Sequence, residues 1–329
     1  MSTQRLKFYQ TGTFTAGNRL LDAGTQTVQS RMDRMNSLNS GHRACQGCGE
    51  ALGARYAVDA AMRASHNQLI AINATGCLEV FSSPYPESSW QIPWMHSLFG
   101  NAPAVASGVA AALRAKGRDE VKVIAQGGDG ATVDIGLGCL SGMFERNDDV
   151  LYLCYDNEAY MNTGIQRSGS TPPFAWTNTT QTVGDHPGNL AGTGKNLPRI
   201  AMAHGIPYVG TASVADLHDL EEKVTSAMGL QGARYIHIHV PCPLGWGSEP
   251  AHTIQVARLA VESGLFPLFE AEFGKVIRST PIRHKVPVER YLELQTRFKH
   301  LFGPPPETEA IASIQALADH NIATYGLLG

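Results

Sequence analysis

Chemically distinctive residues stand just past the ends of short apolar runs, and this placement constrains the fold more than any other feature of the chain. Val121–Ala125 leads into Gly127-Gly128-Asp129-Gly130, and Val150–Tyr155 leads into Asp156-Asn157. Leu69–Asn73 precedes Ala74-Thr75-Gly76-Cys77, and Tyr235–Val240 precedes Pro241-Cys242. Runs of this length and composition read as buried strands. Between them lie segments of helical spacing: Ala51 to Ser65, Asp134 to Arg146, Leu217 to Met228, and one opened by Asn101-Ala102-Pro103. Asn is a good cap and Pro is tolerated in a first helical turn. The alternation predicts an α/β fold with a doubly wound, mostly parallel sheet. Ligands of such sheets bind beyond the carboxyl ends of the strands. Asp129, Asn157, Cys77 and Cys242 are therefore expected on one sheet edge.

Residues 1–40 are polar, end in Asn-Ser-Leu-Asn-Ser-Gly, and read as an N-terminal arm. Residues 41–248 hold every candidate site residue. Residues 249–329, broken at Gly303-Pro-Pro-Pro306, read as a helical C-terminal extension that packs on a partner. A net charge of −3 offers no basic field for nucleic acid. The start, Met1 to Lys7, lacks the apolar core of a secretion signal, and the most apolar stretch, Ala102 to Leu113, is too short to span a bilayer. A cytoplasmic location is the expectation, and clustered cysteines are then better read as ligands than as disulfides.

Four cysteines suit that role: the pair Cys45-Gln-Gly-Cys48 and the single residues Cys77 and Cys242. One CxxC pair with two distant single cysteines can hold a metal ion or a cubane iron–sulfur cluster. Zinc sites more often show two paired motifs. Cys139, in a glycine-rich helix, and Cys154, in a strand, read as buried thiols. The second signature lies between Cys77 and Cys242. Asp129 supplies a carboxylate at a glycine-flanked turn, where backbone can approach a phosphate closely. Asn157 supplies an amide oxygen from the neighbouring strand end, and the Ala159 carbonyl completes an oxygen set suited to Mg²⁺. Asp–Gly, then helix and strand, then Asn resembles the motif that holds Mg²⁺ and thiamine diphosphate.

Longer segments extend the resemblance. Gly41-His-Arg-Ala-Cys45-Gln-Gly-Cys48-Gly49, Ala74-Thr-Gly-Cys77-Leu-Glu-Val80, Pro93-Trp-Met-His96, Tyr155-Asp-Asn-Glu-Ala-Tyr-Met-Asn-Thr-Gly164 and His239-Val-Pro-Cys242-Pro-Leu-Gly-Trp246 resemble the β subunits of 2-oxoacid:ferredoxin oxidoreductases. The resemblance covers roughly residues 41–300. It implies oxidative decarboxylation of a 2-oxoacid, capture of the acyl group by coenzyme A, and export of electrons one at a time. It implies a [4Fe–4S] cluster on Cys45, Cys48, Cys77 and Cys242, and Mg²⁺ on Asp129, Asn157 and Ala159. Gly76, Cys77, Gly128, Gly130, Ala131 and Tyr160 match cofactor-contact positions, and Asn162 matches a residue facing the reactive ring and substrate. His96 is a candidate for orienting substrate or cofactor.

Loss of CO₂ leaves a carbanion that needs an electron sink, which the thiazolium supplies. A neighbouring cluster can then accept single electrons. The ring also needs an activating carboxylate. Glu79 and Glu87 are near candidates in sequence and are rejected, so the acid is expected on a partner subunit with a pyrimidine-binding domain. No ferredoxin module is present in the sequence, so a ferredoxin-like iron–sulfur subunit, and then ferredoxin or another acceptor, is expected to take the electrons. Phe99-Gly100-Asn101 departs from the family's usual Phe-Glu-Asn. A pocket widened there would admit an aromatic 2-oxoacid such as phenylglyoxylate in place of pyruvate. His237 and His239 read as satisfied core histidines, and Arg167 as an acid partner or a surface residue. The competing reading is a non-redox thiamine-dependent lyase subunit with structural zinc.

Overall fold

The computed structural model describes residues 36–84, 88–184 and 186–328, and the backbone of two strands at 5–8 and 12–15. Those two strands, β1 (Arg5–Phe8) and β2 (Gly12–Thr15), pair antiparallel. The rest of the expected arm up to residue 35, and Glu87, lie outside the described residues.

The main unit, from Ser37 onward, alternates strand and helix through its first two thirds. Its elements are α1 (Gly49–Ala64), β3 (Leu69–Ala74), α2 (Cys77–Ser82), β4 (Trp94–Ser97), α3 (Ala102–Ala115), β5 (Lys122–Gly128), α4 (Leu137–Glu145) and β6 (Leu151–Asp156). A two-residue hairpin, β7 (Thr182–Val183) and β8 (His186–Pro187), precedes α5 (Leu197–Ala203), β9 (Tyr208–Ser213), α6 (Leu217–Met228) and β10 (Arg234–His239). The chain ends with α7 (Pro243–Trp246), α8 (Thr253–Glu262), β11 (Phe269–Glu272), β12 (Lys275–Ser279), α9 (Glu289–Leu292) and α10 (Thr308–Tyr325).

Eight strands form one sheet in the order β12-β11-β9-β10-β6-β5-β3-β4. The six from β9 to β4 run parallel, as the alternation predicts, while β11 and β12 join antiparallel. All six residues of β6 and of β10 are buried, the mark of central strands covered on both faces. The register sets Asn73 beside Gln126, Gly128 beside Tyr155, and Asp156 beside His239. The carboxyl ends of β3, β5, β6 and β10 therefore form one continuous edge. Buried hydrogen bonds tie these strands below it: Gln126 Nε2 donates to Asn73 Oδ1 (2.7 Å), and Tyr155 OH donates to Gln126 Oε1 (2.9 Å).

Two regions differ from the sequence expectation. Gly130–Ile135 forms one wide turn with i→i+5 hydrogen bonding, and α4 begins only at Leu137. A side chain at Gly136 would stand 2.2 Å from the Ala131 carbonyl oxygen, so this turn closes only on glycine. Beyond residue 249 the chain is helical in α8, α9 and α10, but it also adds β11 and β12 to the sheet. Both strands are short and carry charges, which hides them from periodicity. Among the described residues no helix is long and apolar enough to cross a membrane.

Candidate functional site

A cleft of about 170 Å³ opens at this sheet edge. The turns after β3 and β5 contribute Gly76, Cys77, Gly128, Asp129, Gly130 and Ala131. The segment after β6 contributes Asn157, Ala159, Tyr160 and Asn162, and Phe99 and Met161 form apolar wall.

At its floor lies an oxygen-rich pair. Asp129 is 1% exposed and accepts a 2.5 Å hydrogen bond from Ser168 Oγ. Burial, and then the charge of Asp156, holds its carboxyl well above the ordinary range, while Ser168 works in the other direction. Asn157 is 4% exposed; its Nδ2 donates to Glu50 Oε2 at 3.0 Å, and its Oδ1 is buried with no hydrogen-bond partner among the described residues. A desolvated carboxylate beside an amide oxygen with no donor is a poor arrangement for a bare protein and a suitable one for a hard divalent cation. The residues present thus fit Mg²⁺. Gly130 keeps this floor open, because a Cβ there would stand 2.3 Å from the Tyr160 ring. Tyr160 OH in turn donates to the Gly130 carbonyl (3.1 Å). At Gly76 a Cβ would meet nothing within 4 Å, so its absence leaves bare backbone facing free space.

Asn157 is also held from behind. Trp246 Nε1 donates to its carbonyl oxygen at 2.8 Å. The Arg297 guanidinium lies 3.9 Å from the Trp246 ring centroid and pairs with Glu158 Oε2 at 2.5 Å. Burial raises the Glu158 carboxyl to about 7 against the pull of Arg297. His237 meets the expectation of a satisfied core histidine, bonded to Asp156 Oδ2 (2.7 Å) and Tyr235 OH (2.5 Å). His239 does not: its ring lies buried against Phe266 and Trp246 with no hydrogen-bond partner among the described residues, Nε2 standing 3.7 Å from Glu158 Oε1, and burial lowers it to about 3.

Of the four candidate ligand cysteines, Cys77 lines the cleft, and the other three lie close enough to act on its thiol. Cys48 caps α1, its Sγ accepting from Ala51 N–H (3.4 Å), and Cys242 caps α7, its Sγ accepting from Gly245 N–H (3.4 Å). Cys77 opens α2 and lines the cleft, and Cys45 is exposed. Burial pushes the Cys48 thiol up to about 12 and that of Cys242 up to about 11. Burial raises Cys77 further, with Glu50 next and then Cys242, Cys48 and Cys45, so all four thiols share one neighbourhood. Among the described residues no three His, Cys, Asp or Glu side chains are grouped to hold a metal ion. Gly47 and Gly49 press the CxxC loop onto the segment around Cys242: a Cβ at Gly47 would stand 2.4 Å from Pro250 O, and one at Gly49 2.7 Å from Pro241 O. Gly49 N–H donates to Pro241 O (3.1 Å), and Thr253 Oγ1 donates to Gly47 O (2.6 Å). Cys154 is buried and Cys139 half-buried, and neither lines the cleft.

His96 stands apart from the cleft lining. It is exposed on β4, stacked on Trp94, and shares a 2.8 Å hydrogen bond with Thr75 Oγ1, which does line the cleft. Arg167 donates through Nε to Asn189 Oδ1 (3.3 Å) rather than to an acid. Glu79 contacts Ser83 through Oε1 and lies outside the cleft lining. Gly100 opens no pocket: a Cβ there would stand 2.7 Å from Ile135 O and 2.9 Å from the Gly136 backbone, so the position is closed by main chain. Sequence reasoning missed Glu50 and Ser168. Glu50 is 2% exposed and lines the cleft, and burial raises its carboxyl to about 7 against the hydrogen bond from Asn157. Its one sequence signal is its place two residues after Cys48.

Comparison with known proteins agrees with this geometry. Residues 74–238 match the thiamine pyrophosphate enzyme C-terminal TPP-binding domain. The chain is 50% identical over 291 residues to pyruvate synthase subunit PorB of Methanosarcina barkeri, covering 88% of this chain and 97% of that one. It is 44% identical over 270 residues to ketoisovalerate oxidoreductase subunit VorB of Pyrococcus abyssi, covering 80% and 85%. The 2-oxoglutarate:ferredoxin oxidoreductase from Magnetococcus marinus, solved with 2-oxoglutarate, coenzyme A and succinyl-CoA bound, aligns with TM-score 0.54 and 26% identity over 69% of this chain and 82% of its own. A parallel sheet whose carboxyl edge carries Asp129 and Asn157, together with half identity along nearly the whole of a curated relative, shows that the chain belongs to the family of thiamine-diphosphate-dependent 2-oxoacid oxidoreductase subunits.

Proposed function

We propose that this chain is the thiamine-diphosphate and [4Fe–4S] subunit of a cytoplasmic, CoA-acylating pyruvate oxidoreductase that hands electrons to ferredoxin or a comparable acceptor. The observation that carries the reading is the meeting of two donor sets at one sheet edge. Asp129 and Asn157 lie on the cleft floor, and Cys77 forms part of its wall. Asp129, Asn157 Oδ1 and the Ala159 carbonyl would hold Mg²⁺ and through it the diphosphate. Cys45, Cys48, Cys77 and Cys242 would each ligate one iron of the cubane.

Bound thiamine diphosphate supplies the electron sink for the carbanion left by decarboxylation. The chain's own residues shape the rest. Phe99 and Met161 exclude water from the cleft wall and suit a short aliphatic 2-oxoacid. Asn162, exposed in the cleft lining, would orient the substrate, and Thr75 links His96 to the same rim. The carboxylate that activates the pyrimidine ring is assigned to a partner subunit, and a second iron–sulfur subunit would receive the electrons. Pyruvate is favoured over an aryl oxoacid because Gly100 leaves no added space and because relatives at 46–51% identity are pyruvate synthase subunits.

The test is metal and acid-labile sulfide analysis of the anaerobically purified complex, with CoA-dependent acceptor reduction on pyruvate, 2-oxoisovalerate and phenylglyoxylate. About four iron and four sulfide assignable to this chain, lost in Cys77→Ser, are expected. Stoichiometric zinc without iron would overturn the redox reading, and fastest turnover on phenylglyoxylate would overturn the substrate.

A further inference from the structure

An asparagine amide can turn either its oxygen or its nitrogen toward a cation, and only the oxygen binds. What decides between them is the partner of the other atom. Here Nδ2 of Asn157 donates to Glu50 Oε2 at 3.0 Å, and Oδ1 has no competing donor among the described residues. The reverse orientation would set an amide oxygen against a carboxylate oxygen at hydrogen-bond distance. Glu50 is 2% exposed in the first turn of α1, so water does not relieve that clash. The Asn157 backbone is pinned by Trp246, so the freedom left to the residue is rotation of its amide. We propose that Glu50 is a positioning residue, whose carboxylate fixes the Asn157 amide with its oxygen toward the cation. Glu50 comes from the helix that Cys48 caps, so the cysteine-bearing turn would also orient the diphosphate metal site. The inference rests on the reading of Asn157 as a cation ligand.

The experiment measures the Mg²⁺ concentration needed for half-maximal thiamine diphosphate binding, read by tryptophan-fluorescence quenching of the anaerobically purified complex without turnover. Glu50→Gln presents a group that donates as well as accepts, so the Asn157 amide is no longer forced. Removing the orienting partner of a ligand typically costs 10–100-fold in metal affinity, and a weakening of about tenfold is expected. In an Asn157→Asp background the same substitution should act in the opposite direction. There the Glu50 carboxylate repels the new carboxylate, whereas the amide introduced by Glu50→Gln donates to one of its oxygens and leaves the other for the cation. Glu50→Gln acting in the same direction in both backgrounds, or in neither, would overturn the proposal, because a space-filling role predicts no reversal. Asn157→Ala separates the two levels. Unchanged Mg²⁺ dependence in that variant overturns the ligand assignment itself. A weakened Asn157→Ala beside an unaffected Glu50→Gln overturns only the positioning role. Subunit stoichiometry and Tm are measured for every variant. Glu50→Met, similar in size and lacking a carboxylate acceptor, carries the same expected loss should Glu50→Gln not assemble.

Discussion

Ser168→Ala tests how the buried Asp129 is kept available to a cation. Asp129 is raised well above the ordinary carboxyl range by burial and by Asp156, and the Ser168 hydroxyl at 2.5 Å opposes that rise. A hydrogen bond to a charged group contributes about 1.5–3 kcal/mol, and each 1.36 kcal/mol corresponds to about one pKa unit. Losing Ser168 should therefore raise the Asp129 pKa further. A proton and Mg²⁺ compete for this carboxylate, so the pH midpoint of Mg²⁺-dependent thiamine diphosphate binding should move upward by the same amount. Below both midpoints affinity should fall about tenfold to a hundredfold, and well above both the two proteins should converge. The assay is a binding titration of the complex across pH, with Ser168→Thr as the variant that keeps the hydroxyl. An affinity loss of equal size at every pH would refute the reasoning, since it would mean that Ser168 shapes the cleft without acting on the charge of Asp129.

Arg297→Met should leave Glu158 buried without its cation and uncover the Trp246 ring. A loss of about 3–5 kcal/mol is expected by thermal unfolding, mostly recovered by adding Glu158→Gln, and an unchanged Tm would refute it. Gly100→Ala should cost about 1–3 kcal/mol by forcing a methyl against the Ile135 and Gly136 backbone, with no change in the ratio of pyruvate to phenylglyoxylate turnover. Glu50 has its folded pKa raised from 4.5 to about 7, so its contribution to stability is complete below about 4.5 and is lost as pH rises through 7. Over that window the cofactor-free protein should lose about 3 kcal/mol that Glu50→Gln does not lose, a contrast measurable by denaturant unfolding of the two proteins at pH 5 and pH 8.

The site's framework was legible because its chemistry sits at strand ends. Asp129, Asn157 and Cys77 line one cleft, and Cys242 stands beside it, as the runs before them predict. Apolar runs such as Leu151–Tyr155 declare themselves, whereas Phe269–Glu272 and Lys275–Ser279 mix apolar and charged residues over too few positions to stand out. Glu50 was hidden for a different reason. Acids in a first helical turn are ordinary exposed complements to the helix dipole, and nothing local shows that this one is buried against Asn157. Ser168 lies 39 residues from Asp129, in a segment without regular structure, where spacing carries no information. The Gly100 inference failed because a missing side chain reads as space in a sequence. In the fold, the main chain of Ile135–Gly136 occupies that space.

The clamp between the CxxC loop and the Cys242 segment has a consequence for the life of the protein. Glycine-to-proline backbone contact, one main-chain hydrogen bond and the Thr253–Gly47 bond hold the two loops together through polypeptide alone. In small zinc domains the metal organises an otherwise unfolded chain, and losing it means losing the fold. Here the two loops also touch through main chain and the Thr253 hydroxyl, so on the proposed reading their docking would not rest on a cluster alone, and losing iron would cost less of the fold than losing the metal of a small zinc domain.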